Sequence, residues 1–199
     1  MKSPGPGDAL IVVDVQNDFL PGGALAVPSG DEVIRPLNRL IRRWSARGQV
    51  LVFTRDWHPP DHVSFRPQGG PWPPHCVART PGAQFPASLH VPRHARIVSK
   101  AREPGSEAYS GFQGTSLAQV LRKAGVSRVF IGGLATDYCV RETGRDARAA
   151  GFEAVVLTDA VRAVDVQAGD GERALADLQA AGVVLSTSEA LIDGLETGR

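Results

Sequence analysis

Ala9-Leu10-Ile11-Val12-Val13-Asp14-Val15-Gln16 is the stretch on which the fold turns. It is a near-continuous apolar run rather than an alternating one. A strand with one wet face alternates apolar and polar residues. A strand covered on both faces does not, and such strands belong to parallel sheets packed between helices. The rest of the chain fits that frame. Residues 31–47 carry Val33, Ile34, Leu37, Leu40, Ile41 and Trp44 at helical spacing, and Gly48 stops the helix. Further strands are predicted at 50–54, 96–99, 128–132, 154–157 and 183–185. Helices are predicted at 115–124, 137–150 and 170–181, each closed by a glycine, with a short helix in the tail. This alternation over 199 residues predicts a single α/β domain spanning 1–199, a mostly parallel sheet with helices on both faces, behind a flexible lead-in over 1–8.

Composition narrows the function. The chain is 42% hydrophobic and 22% charged, ordinary values that exclude wholesale disorder. Its 22 Lys and Arg balance 21 Asp and Glu, so the basic excess of a nucleic-acid binder is missing and no nucleic-acid partner is expected. Two cysteines are too few for a disulfide scaffold. Met1-Lys2-Ser3-Pro4-Gly5-Pro6 has no apolar signal-peptide core, and no apolar run reaches membrane-span length. A soluble, cytoplasmic protein with no membrane partner is expected; monomer and homo-oligomer are equally compatible with the sequence. Gly132-Gly133 does not belong to a G-x-G-x-x-G pattern, and neither do Gly169, Gly171 and Gly182, so no dinucleotide is expected.

All five histidines, His58, His62, His75, His90 and His94, fall in one stretch, and nine of the fifteen prolines lie between Pro59 and Pro92. Residues 57–95 therefore cannot form regular helix and make poor central strand. A loop this long in a compact domain is usually functional.

In parallel α/β folds the chemistry sits beyond the C-terminal ends of the strands. Those ends here carry Asp14, Gln16, Asn17, Asp18 and Phe19; Arg55, Asp56, Trp57 and His58; Lys100; Thr136, Asp137 and Cys139; and Thr158 and Asp159. Taken alone, Asp14 is a turn-capping carboxylate, Lys100 a solvated lysine and Cys139 a packing cysteine. Together they can act. A carboxylate accepts a thiol proton, a cation holds the thiolate, and the thiolate attacks a carbonyl. Cys139 is expected in the first turn of the helix at 137–150, where the helix N-terminus and a nearby lysine would favour the thiolate and lower its pKa. Asp56-x-His58 with His75 suits a borderline divalent ion such as Zn²⁺, Fe²⁺ or Mn²⁺, with open positions for water or ligand. His62 is either an extra ligand or a group behind the ligands. His90 and His94 are expected on the surface, and Cys76 as a small buried thiol.

Seven strings stand in one order: Val13-Asp14-Val15-Gln16-Asn17-Asp18-Phe19, Thr54-Arg55-Asp56-Trp57-His58-Pro59-Pro60-Asp61-His62, Pro71-Trp72-Pro73-Pro74-His75-Cys76-Val77, Thr80-Pro81-Gly82-Ala83, Lys100, Tyr109-Ser110-Gly111-Phe112 and Gly132-Gly133-Leu134-Ala135-Thr136-Asp137-Tyr138-Cys139-Val140. From about residue 9 to 190 the chain resembles the nicotinamidases of the isochorismatase-like hydrolase superfamily. The resemblance implies a three-layer α/β/α fold whose six-stranded parallel sheet has the order 3-2-1-4-5-6. It implies Cys139 as nucleophile, Asp14 as general base and Lys100 as third member of a triad, with Asp56, His58 and His75 holding one divalent metal, zinc first and iron or manganese next. No organic cofactor is implied. The substrate's pyridine nitrogen would approach the metal, Phe19 and Trp72 would flank the ring, and Tyr109 would also meet the substrate. A cis peptide before Ala135 would help aim the backbone N–H groups of Ala135 and Cys139 at the oxyanion. The implied reaction is hydrolysis of a small aromatic amide through a thioester on Cys139, nicotinamide to nicotinate and ammonia, with pyrazinamide also accepted. Three other readings stay open. One is another amidase of the superfamily, acting on a carbamoyl or ureido compound or a different aromatic amide. The others are a metal-free hydrolase of the isochorismatase type and a catalytically idle metal-binding or interaction domain. The metal set weighs against the first and Cys139 and the metal set against the second; the intact triad weighs against the third.

Overall fold

The structure, a computed structural model, describes residues 4–197. Strand β1 (Asp8–Val13) is buried along its whole length. It lies between two parallel neighbours, β2 (Val50–Asp56) and β4 (Arg128–Leu134). Outward from these come β3 (Arg96–Lys100) beside β2, and β5 (Glu153–Arg162) then β6 (Val184–Ser186) beyond β4, every pair parallel. The order is β3-β2-β1-β4-β5-β6, as the resemblance implies. The winding reverses between β1 and β4, which opens a crevice beyond their C-terminal ends.

Alternate residues of β1 serve two cores. Leu10 and Val12 join Leu37, Leu40, Ile41 and Trp44 of helix α1 (Ile34–Ala46) and Leu191 and Ile192 of α5 (Ser188–Thr197). Ala9, Ile11 and Val13 face the other way, toward α2 (Leu117–Lys123), α3 (Arg141–Ala149) and α4 (Asp170–Ala180). Trp44 is fully buried and meets Phe130 edge-on at 5.6 Å; truncating so large a side chain costs about 3–5 kcal/mol. Among the described residues no helix is long and apolar enough to cross a membrane.

Several predicted boundaries move, each for a local reason. The helix expected from residue 31 begins as a tight 3₁₀ turn at Gly30–Val33, and α1 starts at Ile34. Pro36 then sits in the first turn, where its missing N–H costs no helical bond. Strand β4 continues through Gly132-Gly133 to Leu134. Gly133 has φ +131°, and a Cβ there would lie 2.0 Å from the Val13 carbonyl oxygen, so only glycine lets β1 and β4 approach this closely. A register shift between Ile131 and Gly133 carries β5 on to Arg162. Thr158 and Asp159 thus lie within a strand instead of at the end facing the site. Thr158 Oγ1 donates to the Ser186 carbonyl (3.1 Å), and Asp159 accepts from the N–H and hydroxyl of Ser188, where α5 begins. Residues 1–3 of the lead-in lie outside the described residues. From Gly5 onward it is tied down: Gly5 N–H donates to Asp8 Oδ2 (2.7 Å), Gln49 Nε2 donates to the Gly5 carbonyl (2.8 Å), and Arg128 grips Asp8 through Nε and Nη2 at 2.8 and 2.7 Å.

The 57–95 segment folds onto itself. His58 pairs with Val77 and Phe65 with Trp72 as single bridges, and a 3₁₀ turn at Arg66–Gln68 lies between. His58 N–H donates to the Cys76 carbonyl (3.1 Å), and Ala78 N–H to the His58 carbonyl (2.8 Å). These bonds carry His75 across to the end of β2.

Candidate active site

Beyond Val13 the chain turns sharply at Asp14, whose φ of +48° is uncommon for a residue with a side chain. The turn is held by Asp14 N–H to the Thr54 carbonyl (3.2 Å) and Gln16 N–H to the Asp14 carbonyl (2.8 Å). Asp14 Oδ1 accepts from Thr54 Oγ1 at 2.7 Å. Lys100, the last residue of β3, is buried, and its ammonium touches four acceptors. They are Asp14 Oδ2 (3.0 Å), a carboxylate oxygen of Asp56, the Ala108 carbonyl (3.1 Å) and Cys139 Sγ (3.5 Å). Asp14 Oδ2 is buried, and although near Nζ it receives no well-aligned hydrogen bond. Ligand atoms of Asp14, Asp56 and Cys139 all lie within 4.8 Å of one another. Asp14, Lys100 and Cys139 therefore meet in space although they are far apart in sequence.

Burial pushes the Asp14 carboxyl above its ordinary value; Lys100 offsets part of this and the nearby Asp56 charge adds to it. Burial acts the same way on Asp56, but the Lys100 ammonium, with His58, holds it well below the usual carboxylate range. Lys100 is pulled down by burial and up by Asp14 and Asp56, and the two carboxylates win. Burial pushes the Cys139 thiol well up, against Lys100 and reinforced by Asp14 and Asp56. Burial thus works against the low-pKa thiolate expected at this position. Of the two causes expected, the lysine is in place, 3.5 Å from Sγ, and the helix N-terminus is not. Cys139 sits in a wide π-type turn, Thr136–Val140, and not in the first turn of an α-helix. The Ala135 carbonyl closes that turn by accepting from the N–H groups of Tyr138 (3.1 Å) and Val140 (3.0 Å), and α3 starts only at Arg141. Cys139 and Cys76 are both free, buried thiols.

On the opposite side of Lys100, one ligand atom each from Asp56, His58 and His75 lie within 4.8 Å of one another, all three side chains buried. Both ring nitrogens of His58 are buried without a hydrogen-bond partner. His75 Nδ1 lies 2.8 Å from the Pro73 carbonyl, which can only accept, so Nδ1 carries the proton and Nε2 keeps a lone pair. An unpartnered buried imidazole and a second with Nε2 free, beside a deprotonated carboxylate, fit a divalent cation, and this group could bind a metal. His62 is not placed to join it. Its Nε2 donates to the Ser106 carbonyl (3.2 Å), its Nδ1 accepts from Ser64 Oγ (2.7 Å), and its ring packs on His58 with centroids 4.3 Å apart.

A small pocket, partly open to solvent, joins Cys139 to the Asp56/His58/His75 group. Its lining includes Phe19, Trp72, Tyr109, Ala135 and Cys139 together with Asp56, His58 and His75. Phe19 lies 5.6 Å from the His75 ring. Trp72 Nε1 donates to the Tyr109 hydroxyl (3.1 Å), and burial pushes that phenol up to about 12. The Leu134–Ala135 peptide is cis.

Sequence reasoning missed several contributors. Leu25, Val27, Glu107, Tyr138 and Val164 also line the pocket. Tyr138 adjoins Cys139 and could have been found from that position; the others carry no local signal. Gln16, at the end of the first strand's run, has a structural part that its position in the sequence does not show. It clamps the metal-side backbone: its Nε2 donates to the carbonyls of Asp56 (2.8 Å) and Ala83 (3.0 Å), and its Oε1 accepts from Asp56 N–H (2.8 Å). Other strand-end residues serve the frame. Asp18 accepts from Cys76 N–H (2.7 Å), and Asp137 from the N–H groups of Val164 (3.0 Å) and Asp165 (2.9 Å). Asn17 Nδ2 donates to the Pro81 carbonyl (2.8 Å), and Arg55 stacks on Trp57 at 3.7 Å.

The model of the isochorismatase domain matches residues 8–190. A nicotinamidase of Escherichia coli (strain K12) is 39% identical over 203 residues, covering 92% of this chain and 95% of its own. Among solved structures, the pyrazinamidase of Pyrococcus horikoshii in complex with zinc is 53% identical, with a TM-score of 0.87 over 92% of this chain and 99% of its own. PnC1 from L. infantum in complex with nicotinate is 39% identical, with a TM-score of 0.87 over 96% and 97%.

Proposed function

The chain belongs to the isochorismatase family, and on that premise we propose that it is a nicotinamidase, a cysteine amidohydrolase converting nicotinamide and water to nicotinate and ammonia. Pyrazinamide is a second substrate of the same shape. The observation that carries the reading is the meeting of Asp14, Lys100 and Cys139 beside an Asp56/His58/His75 group, with Cys139 and those three donors lining one pocket.

Asp14 Oδ2 takes the proton of Cys139 Sγ as sulfur attacks the amide carbon. An acceptor raised by its burial suits that task, because its pKa moves toward working pH. Lys100 stabilises the negative charge that passes between Sγ and the Asp14 carboxylate. The backbone N–H groups of Ala135 and Cys139 donate to the oxyanion of the tetrahedral adduct. Collapse breaks the C–N bond, Asp14 returns its proton to the nitrogen, and ammonia leaves a thioester on Cys139. Asp14 then takes a proton from water as its oxygen attacks the thioester. The C–S bond breaks, sulfur regains a proton from Asp14, and the acid is released. Phe19 and Trp72 sandwich the ring, with Tyr109 fixing the Trp72 indole.

Asp56, His58 and His75 would hold one divalent metal, zinc by analogy with the P. horikoshii relative, while the same donors suit Fe²⁺ or Mn²⁺. When bound there, such an ion supplies a Lewis-acidic partner for a pyridine nitrogen. No organic cofactor enters the reaction, and a cytoplasmic setting completes the reading.

The test is ammonia release from nicotinamide by metal-reconstituted protein, beside Cys139→Ala. Turnover by the wild type and none by the variant, with a thioester trapped by hydroxylamine, supports the reading. Undiminished turnover by Cys139→Ala overturns it.

A further inference from the structure

Glu107 differs from the other acidic groups of the site. Asp14 and Asp56 are both matched by Lys100. Glu107 is half-buried and lines the same pocket as Tyr109, Tyr138 and Cys139, and among the described residues no Lys or Arg forms an ion pair with it. Its segment is fixed. Glu107 Oε1 accepts from Ala108 N–H (3.0 Å), the Ala108 carbonyl accepts from Lys100 Nζ (3.1 Å), and the Glu107 carbonyl accepts from Gln113 Nε2 (2.9 Å). The same lining holds Leu25, Val27 and Val164, and across it Asp56, His58 and His75. A half-buried charge on the pocket wall acts on a bound ring through less water than an exposed one does.

The proposed reaction, on which this inference rests, turns a neutral amide into an anion on the same ring. A fixed negative charge beside the ring barely acts on the first and repels the second. We infer that Glu107 is a specificity-determining residue that sets the charge preference of the pocket. It admits neutral aromatic carboxamides and disfavours the carboxylate product and any ring bearing an anionic substituent. Product release is thereby built into the wall of the site.

Glu107→Gln separates this from a purely structural role, because a glutamine Oε1 can accept the same Ala108 N–H while the charge is gone. The experiment measures, on metal-loaded protein, the inhibition constant of nicotinate and the KM of nicotinamide for wild type and Glu107→Gln at low and high salt. In the variant the ratio of that inhibition constant to KM is expected to fall by about three- to tenfold. Raising salt should tighten nicotinate binding to the wild type more than to the variant. An unchanged ratio, or both constants moving by one factor, overturns the inference while leaving the amidase reading intact. A wild-type protein that releases no ammonia from nicotinamide overturns the reading, and this inference with it.

Discussion

The two walls of the pocket satisfy their polar groups in opposite ways. On the thiol side, one buried ammonium serves Asp14, Asp56, the Ala108 carbonyl and Cys139 at once. Its charge is balanced within the protein. On the histidine side, both nitrogens of His58 are buried with nothing to bond, and His75 presents a bare Nε2. Buried polar groups without partners are costly, so such an arrangement makes physical sense around a cation. The thiol side carries the groups that the proposed proton transfer needs, whereas the histidine side could hold a metal. Asp56 joins them, with one carboxylate oxygen on Lys100 and the other 3.6 Å from His58 Nε2.

Lys100 is the residue whose loss should blur this division most. Lys100→Met strips the ammonium that pairs with two buried carboxylates. Removing one partner of a buried pair costs about 3–5 kcal/mol. Turnover should vanish and metal binding weaken together, since Asp56 loses its counter-charge. Denaturant midpoints, activity and metal content report all three. Adding Asp14→Asn should recover part of the stability, because one uncompensated charge is then gone. A Lys100→Met protein as stable as wild type would mean the walls are not coupled through this ammonium.

Asp14→Asn should break the thiol side alone. The amide keeps the shape and can still accept from Thr54 Oγ1, but it cannot take the thiol proton. General acid–base catalysis is worth about 10²–10⁴ in rate, and in the proposed reaction Asp14 acts in both half-reactions, so the loss belongs at the upper end. Metal content should not change. The pH profile gives a second measure. Asp14 must be unprotonated to act, and burial raises its pKa, so wild-type activity falls with falling pH through a midpoint above the ordinary aspartate value. That acid limb should be missing from the residual activity of the variant.

The halves were not equally legible in the sequence. The run from Ala9 to Val13 announces a strand buried on both faces, and the glycine-closed helices announce the layers. Strand order came from the resemblance, because periodicity does not say which strand neighbours which. The donors Asp56, His58 and His75 show as residue types that bind metal wherever the chain places them. The proton balance of the thiol side depends on surroundings that local sequence does not encode. Cys139 reads as a helix N-terminus until the Ala135 carbonyl is seen to accept from both Tyr138 and Val140. The Ala108 carbonyl on Lys100 and the Gln16 clamp on Asp56 are backbone contacts, for which no residue type is diagnostic. Thr158 and Asp159 misled for a related reason: the register shift after Ile131 lengthens β5 past them.

His75→Ala should break the histidine side and spare the other. The variant should lose its metal, and kcat/KM for nicotinamide should drop on the order of 10²-fold through lost positioning. Benzamide, which lacks the ring nitrogen, should lose little, so the preference for nicotinamide over benzamide collapses. Alkylation of Cys139 by iodoacetamide should proceed at the wild-type rate. Metal analysis beside kcat/KM for both amides checks this. Metal content equal to wild type would remove His75 from the ligand set.

The smallest effect sharpens where the histidine side ends. His62 is as buried as His58, and their rings touch, yet their nitrogens are in opposite states. The Ser106 carbonyl can only accept, so His62 carries its proton on Nε2, and Nδ1 accepts a hydrogen bond from the Ser64 hydroxyl. With both sites used, His62 is a neutral ring that supports His58 from behind, and burial lowers its pKa in keeping with that neutrality. His62→Ala removes a packing wall and leaves Ser64 to find another partner. It should lower stability by about 1–3 kcal/mol. Metal stoichiometry should stay at wild type, with affinity weakened by about tenfold, the scale on which outer support of a ligand acts. Titration of apo-protein with zinc, run beside His75→Ala, distinguishes the two histidines. If His62→Ala loses metal as completely as His75→Ala, then Nε2 must leave Ser106 to coordinate, and the histidine side has four protein donors instead of three.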